Sequence, residues 1–234
     1  LALYDSLHGG AGTLGFVRIE ELIEFVVGLQ GTDGSFSGDE FSDDDTRYSY
    51  CALSCLPLVG GLDRVNLDNA AAHILKCATP DGGFGIRAGT EAHAGQTFCS
   101  LAALALCDRL PTGNHRDRIV SWLVSRELSD AKGGGVNGRP DKREDGCYAW
   151  WVSASLRILG RDAEAKINRT KLMEFVETLQ TEKGGLSPKR GDAADVYHTH
   201  FGVAALAVLG HPATVPVNVI HCLPEETVTR LRCK

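Results

Sequence analysis

Between Asn137 and Trp151 the chain reads NGRPDKREDGCYAWW, and here the residue types point to chemistry rather than to packing. Asp145 and Cys147 stand two residues apart, just after a cationic cluster of Arg139, Lys142 and Arg143. A carboxylate beside a thiol is a poor way to build a core. It suits a metal that takes one hard oxygen and one soft sulfur ligand, next to a site for an anion. Zinc would hold Cys147 as its thiolate, and the neighbouring cations are expected to lower the thiol pKa further. Such a site needs a third ligand from elsewhere in the chain.

The elements that must supply it are repeated. Four related turns occur: Asp33-Gly34-Ser35-Phe36, Asp81-Gly82-Gly83-Phe84-Gly85, Gly133-Gly134-Gly135-Val136 and Lys183-Gly184-Gly185-Leu186. Their hydrophobic residues Phe36, Phe84, Val136 and Leu186 follow one another at intervals of 48, 52 and 50 residues. That period fits a helix, a long glycine-bearing loop and a second helix. Before the turns, Ile19, Leu22, Ile23 and Val26, and again Leu172, Phe175, Val176 and Leu179, recur at helical spacing on one face. Asn66 and Asn168 stand where N-caps belong. After the turns, SYCALSCLPLVG, TFCSLAALALC, CYAWWVSASLRILG and HFGVAALAVLG are apolar nearly all round. A helix apolar on every side is a buried one. Enclosed helices alternating with half-exposed ones define an all-α fold, an α/α toroid of inner helices ringed by outer ones. We expect one domain over residues 1–234, with about four helix pairs.

The repeat aligns the polar residues. Counted from each turn hydrophobe, Arg47 lies 11 residues on, His93 9, Cys147 11 and His198 12. Parallel inner helices would gather these side chains at one end of the toroid, together with the positive ends of the helix dipoles, which favour an anion. Asp145, Cys147 and His198 then form an oxygen, sulfur and nitrogen set with a fourth position open, as in catalytic zinc sites. Asp195, three residues before His198, is placed to orient the ligands. His200 is a rival ligand, but two residues further into the helix it should face another way. His93, Arg139, Lys142 and Tyr148 read as a clamp for a diphosphate. In isolation Arg139 and Lys142 would read as a solvated loop; their place beside the proposed metal reverses that. Arg87, Lys189 and Arg190 read as surface charge. Tyr50, Trp150, Trp151 and Phe201 either line an apolar central cavity or simply fill the core.

Composition sets outer limits. The 234 residues are 43% hydrophobic and 23% charged, as in an ordinary soluble domain. A net charge of -6 argues against a general nucleic-acid binder. No apolar run long enough for a membrane span and no signal peptide stand out. The eight cysteines form no CxxC pair and mostly fall in apolar helical patterns, as expected of buried thiols in a reduced, cytoplasmic protein. The chain opens on LALYDSL and its only methionine is Met173, which reads as an N-terminally truncated sequence.

Taken together, DGSFSGD, DTRYSYC, DGGFG, EAHAGQTFC, GGVNGRP, DGCYAWW, DVYHTHFG and PVNVIHCLPEE resemble the β subunits of protein prenyltransferases, over about residues 4–230. Within that family the turn GGVNGRP and the tail PVNVIHCLPEET look most like the Rab geranylgeranyltransferase (type II) branch. The resemblance implies Zn2+ held by Asp145, Cys147 and His198, and catalytic parts for these three with Lys142 and Tyr148. It implies contacts to the isoprenoid diphosphate from His93, Arg139, Lys142 and Tyr148, and places Arg47 near the cavity wall that Tyr50 and Trp151 would line. The implied reaction is transfer of geranylgeranyl from its diphosphate to C-terminal cysteines of Rab GTPases. The implied partners are a helical-repeat α subunit and a Rab escort protein.

The chain departs from the pattern in three places. It supplies about four helix pairs where the family has six. Pro188 stands where several relatives carry Asp, which leaves a Mg2+ requirement open, and Glu144 replaces a residue usually uncharged in the type II branch. Three other readings stand beside this one: a farnesyl or type I geranylgeranyl transferase β subunit, a truncated non-catalytic toroid that binds a partner, and a terpene or squalene-type cyclase. For the cyclase, Asp43-Asp44-Asp45-Thr46 would be the acid motif; the plainer reading of those aspartates is a solvated loop or helix N-terminal charge.

Overall fold

The computed structural model describes residues 18–129 and 134–232. Gly133 of the third turn and Cys233 lie outside them. Four outer helices, α1 (Ile19–Gly28), α3 (Leu67–Lys76), α5 (Gly113–Val124) and α8 (Arg169–Glu177), alternate with four inner ones. The inner helices are α2 (Thr46–Val59), α4 (Ala94–Leu106), α6 (Tyr148–Leu159) and α9 (Val196–Leu209); a short α7 (Arg161–Glu164) follows α6. Inner helices pack in chain order, α2 on α4, α4 on α6 and α6 on α9, each backed by the outer helix before it in sequence. This is the α/α toroid.

Each helix class has its expected cause. The outer helices bury one stripe, Ile23 and Val26 in α1 and Leu172, Phe175 and Val176 in α8, and present charge on the other face. Asn66 and Asn168 cap α3 and α8, accepting from the Asn69 and Lys171 amides at 2.9 and 3.1 Å. In α4 every residue from Gln96 to Leu104 is buried, because small side chains let neighbouring helices close in on all sides. Three arginines satisfy the orphan carbonyls at the far ends of α6 and α9. Arg116 donates to the Leu159 carbonyl at 2.8 Å, Arg157 to that of Val208 at 2.9 Å, and Arg169 to that of Leu209.

The turns repeat as closely as the helices. Phe36, Phe84 and Val136 are fully buried and Leu186 nearly so, and each pairs by an isolated bridge with the end of its outer helix. The carbonyls of these four residues accept from the amides of Asp45, His93, Asp145 and Asp195, at 3.5, 3.0, 3.1 and 3.3 Å. A second bond ties the starts of the first three inner helices to the next repeat: Thr46 to the Ile86 carbonyl, Ala94 to Gly138 and Gly146 to Pro188. The residues that open the inner helices are thus pinned at equivalent places around one rim.

A C-terminal segment joins the two ends of this array. Strand β1 (Val217–Asn218) pairs antiparallel with β2 (Leu223–Pro224), and α10 (Glu225–Arg232) follows. β1 packs on α9 while α10 packs on α2, and the Tyr50 hydroxyl donates to the Ile220 carbonyl at 2.6 Å. Ser54 and the His221 ring are bonded at 3.0 Å. The run Asp43–Asp45 is structural. Asp45 caps α2 and grips Arg47 bidentately, Asp44 faces His73 at 3.4 Å, and Asp43 faces Arg87 at 3.5 Å.

Candidate metal centre

Cys147 is the N-cap of α6 and His198 the third residue of α9, so their meeting is a meeting of two inner-helix N-termini. Asp145 lies in the turn just before α6, its Oδ1 accepting from the Cys147 amide at 3.0 Å. Gly146 between them is required by space. A Cβ there would stand 2.5 Å from Leu179 and 3.2 Å from the Ser187 carbonyl oxygen. One ligating atom from each of Asp145, Cys147 and His198 lies within 4.8 Å of the other two. His198 Nε2 is 3.2 Å from Asp145 Oδ1, with the imidazole 17% and the carboxylate 26% exposed.

The imidazole is oriented from behind. Asp195 caps α9 by accepting from the His198 amide at 2.8 Å, and its other oxygen engages His198 Nδ1 at 2.6 Å. Those bonds hold the Asp195 carboxyl below its usual range. They also fix the ring so that Nε2 presents its lone pair toward Asp145 and Cys147. A carboxylate–imidazole pair behind a ligating nitrogen is the usual support of a metal-bound histidine. His200 points elsewhere, its Nε2 3.6 Å from the Cys222 sulfur.

The thiol departs from expectation. Arg139, Lys142 and Arg143 do not draw Cys147 down; burial pushes its pKa far up, and the Asp145 charge adds to the rise. At 5% exposure the cost of desolvating a thiolate outweighs cations that sit in solvated loops. A buried thiol next to a carboxylate ionises only if a cation is placed between them, so the donor set fits a bound divalent metal.

Beside the triad lies a second polar group. His93 caps α4, its Nδ1 accepting from the Gly95 amide at 3.1 Å, and its Nε2 is 3.0 Å from the Tyr148 hydroxyl. Burial and the Arg139 charge lower the His93 pKa, with Glu91 opposing. The neutral ring, already accepting at Nδ1, carries its proton on Nε2 and donates it to Tyr148. The Tyr148 proton is then free to point at a ligand, and burial pushes that phenol up to about 12, which keeps it a donor. Gly138 lies against the same ring, where a Cβ would come within 2.3 Å. Arg139 is paired with Glu91, a partner 48 residues away that the sequence reading did not include.

The remaining expected residues are spread more widely. Arg47 is at the same rim, 59% exposed and held by Asp45. Lys142 is exposed and lines, with Arg126, Asn137 and Arg143, a neighbouring cavity of about 850 Å³. Glu144 pairs with Arg143 at 3.6 Å. Trp151 sits between Phe98 and Phe201, tilted to both, at 5.1 and 4.4 Å between ring centroids, and Tyr50 meets Phe98 edge-on at 5.5 Å. These rings form an apolar interior behind the metal site. Trp150 is wholly buried and belongs to the core. The C-terminal anchor of Tyr50 was also missing from the sequence reading, since nothing in local spacing reveals a partner 170 residues away.

Fold and site together define a class: the chain belongs to the prenyltransferase α/α toroid family, whose domain matches residues 5–223. Within that enzyme family it sides with the type 2 geranylgeranyl transferase β subunits. It is 43% identical over 235 residues to the subunit from Saccharomyces cerevisiae, covering 99% of this chain and 70% of that one. It is 45% identical over 145 residues to the subunit from Candida albicans, covering 61% and 42%. A type-1 β subunit from Arabidopsis thaliana is 31% identical over 215 residues, covering 87% and 56%. Among solved structures, Candida albicans protein geranylgeranyltransferase-I complexed with GGPP superposes with a TM-score of 0.79 at 22% identity, covering 93% of this chain and 68% of that one. A type II terpene cyclase from Scytonema superposes at 0.57 with 16% identity, covering 91% and 60%. Those two likenesses show the fold. Sequence separates the branches, and it favours the transferase over the cyclase.

Proposed function

We propose that this chain is the β subunit of a Rab geranylgeranyltransferase, which moves a geranylgeranyl group from its diphosphate to C-terminal cysteines of Rab GTPases. The observation that carries the reading is the convergence of Asp145, Cys147 and His198 beside the His93–Tyr148 pair. Zinc is the metal this donor set fits, and Asp145, Cys147 and His198 would hold it with one position open for the incoming cysteine. When bound there, zinc lowers the pKa of that cysteine so that it is a thiolate at neutral pH.

The chain's own residues do the rest. As the C1–O bond of the lipid diphosphate breaks, its electron pair leaves with the diphosphate. Tyr148, aligned by His93, donates to that growing charge, and Arg139, Lys142 and Arg47 supply positive potential around it. The incoming sulfur forms the C1–S bond, its proton having passed to solvent. Trp151, Phe98 and Phe201 give the lipid an apolar, water-poor bed. Glu91 steers Arg139 until the diphosphate takes its place as the partner.

The working assembly would include a prenyltransferase α subunit and a Rab escort protein, and it would act in the cytoplasm. Among the described residues no helix is long and apolar enough to cross a membrane. The test is to co-express the chain with an α subunit, add a Rab protein and its escort protein, and weigh the product. Geranylgeranyl added to the Rab C-terminus supports the reading. Transfer only of farnesyl, or only to a substrate that needs no escort protein, would move it to another branch of the family. Cyclised lipid without a protein acceptor would overturn it.

Asp195 offers a graded check on the metal site. Asp195→Ala removes the support of His198 and is expected to weaken metal binding by about 10- to 100-fold. Competition with a chromophoric chelator would measure this. Metal affinity equal to the parent's would show that the Asp195–His198 pair only caps α9.

A further inference from the structure

Three joints between successive repeats share one construction. Thr46, Ala94 and Gly146, each ten residues past the buried residue of its turn, donate their amides to Ile86, Gly138 and Pro188 of the next repeat, at 3.0, 2.8 and 2.8 Å. Each bond sets two side chains on facing loops, one three residues before the donor and one just after the acceptor. At the first joint these are Asp43 and Arg87, an ion pair at 3.5 Å. At the second they are Glu91 and Arg139, again an ion pair. At the third they are Arg143 and Lys189, two cations where the others set an acid against a base. Among the described residues no carboxylate pairs with the half-buried Lys189. Arg143 meets only Glu144, at 3.6 Å, and remains 78% exposed. Like charges on facing loops repel unless an anion lies between them.

We propose that the third joint takes a carboxylate from the protein substrate, one that lies beside the cysteine presented to the metal. The inference rests on the function proposed above. The first two joints hold a carboxylate of the chain itself between their loops, so the group missing from the third is of that kind. The place fits the protein substrate rather than the lipid. Gly146, the donor of this joint, sits between Asp145 and Cys147. The pair that faces the diphosphate belongs to the second joint, where His93 adjoins Ala94 and the Tyr148 ring lies against Gly138. An acidic segment leading away from the metal across the third joint is held by Arg143 and Lys189, whose charges it satisfies.

The test is Lys189→Glu, which fills the joint from within by giving Arg143 the acid partner that Arg87 and Arg139 already have. The variant, assembled with its α subunit, should keep the parent's Tm or exceed it. Its KM for a Rab protein delivered by the escort protein should rise about 3- to 10-fold, with kcat and the KM for geranylgeranyl diphosphate unchanged. A second measurement needs no turnover: titration of the heterodimer with two fluorescent peptides, carrying glutamate or glutamine beside one cysteine. The parent should bind the glutamate peptide more tightly, and Lys189→Glu should lose that preference. Equal binding of the two peptides by the parent would overturn the inference, whether or not the enzyme prenylates a Rab protein. Absence of any transfer, with the glutamate preference intact, would count against the proposed function and leave the carboxylate site standing. A changed KM for the lipid diphosphate alone would assign the two cations to the lipid, and failure of the variant to assemble would assign them to the α subunit; either result would overturn the inference.

Discussion

Cys147→Ala, made in the assembled heterodimer, should lose its metal and prenylate its protein substrate more than about 100-fold more slowly, exceeding the usual cost of removing a group that merely supports a ligand. The sulfur is the soft member of a three-atom set, and the two that remain, Asp145 and His198, are too few to hold zinc at the concentrations of an assay. The substitution leaves the turn intact, because the bond to Asp145 Oδ1 comes from the residue 147 amide and not from its side chain. It also leaves the His93–Tyr148 pair alone. Binding of geranylgeranyl diphosphate, followed by titration with a fluorescent lipid analogue, should therefore be retained. Full turnover by the alanine variant would rule out the metal assignment.

The second large effect concerns the far ends of the same helices. Glu164→Ala should cost about 3–5 kcal/mol of stability, because it leaves the Arg157 guanidinium without its carboxylate in a site with little water. That is a large part of the roughly 5–15 kcal/mol that holds a domain together. Glu164 is 5% exposed and accepts from Arg157 at 2.5 and 2.6 Å, and the same arginine also caps α9 through Val208. Arg157, held by Glu164 of α7, thus joins the C-terminal ends of α6 and α9, whose N-terminal ends carry Cys147 and His198. Burial alone would raise the Glu164 carboxyl, but the bonds and charge of Arg157, with Arg161 and Arg169, outweigh it and hold it below its ordinary 4.5. A depressed folded value means that this stabilisation is complete above about pH 4.5 and is lost as pH falls through the lower folded value. Urea denaturation of parent and variant at pH 7 and again in acid checks both claims. The gap between the two proteins should be wide at pH 7 and should close in acid. A gap under 1 kcal/mol at pH 7 would show that Arg157 finds other partners.

What was legible in the sequence is what repeats. Phe36, Phe84, Val136 and Leu186 mark equivalent turns, and their equal hydrogen bonds to the residues opening the inner helices explain why a count of residues could find one rim. Asn66 and Asn168 could be read because an N-cap is a local choice. So could Asp195 behind His198, since three residues along a helix start is one turn. Contacts between repeats were not legible. Glu91 reaches Arg139, and Tyr50 reaches Ile220, through side-chain positions that no local pattern encodes. The direction of the Cys147 shift was misjudged for a physical reason: a sequence displays nearby charges but not the depth at which a thiol is buried.

The most direct measurement is zinc-edge X-ray absorption on the purified heterodimer. One zinc per β chain is expected, with a single sulfur at about 2.3 Å and the remaining nitrogen and oxygen donors at about 2.0–2.2 Å. Zinc absent at full activity, or present without a sulfur neighbour, would contradict a metal centre built on Asp145, Cys147 and His198.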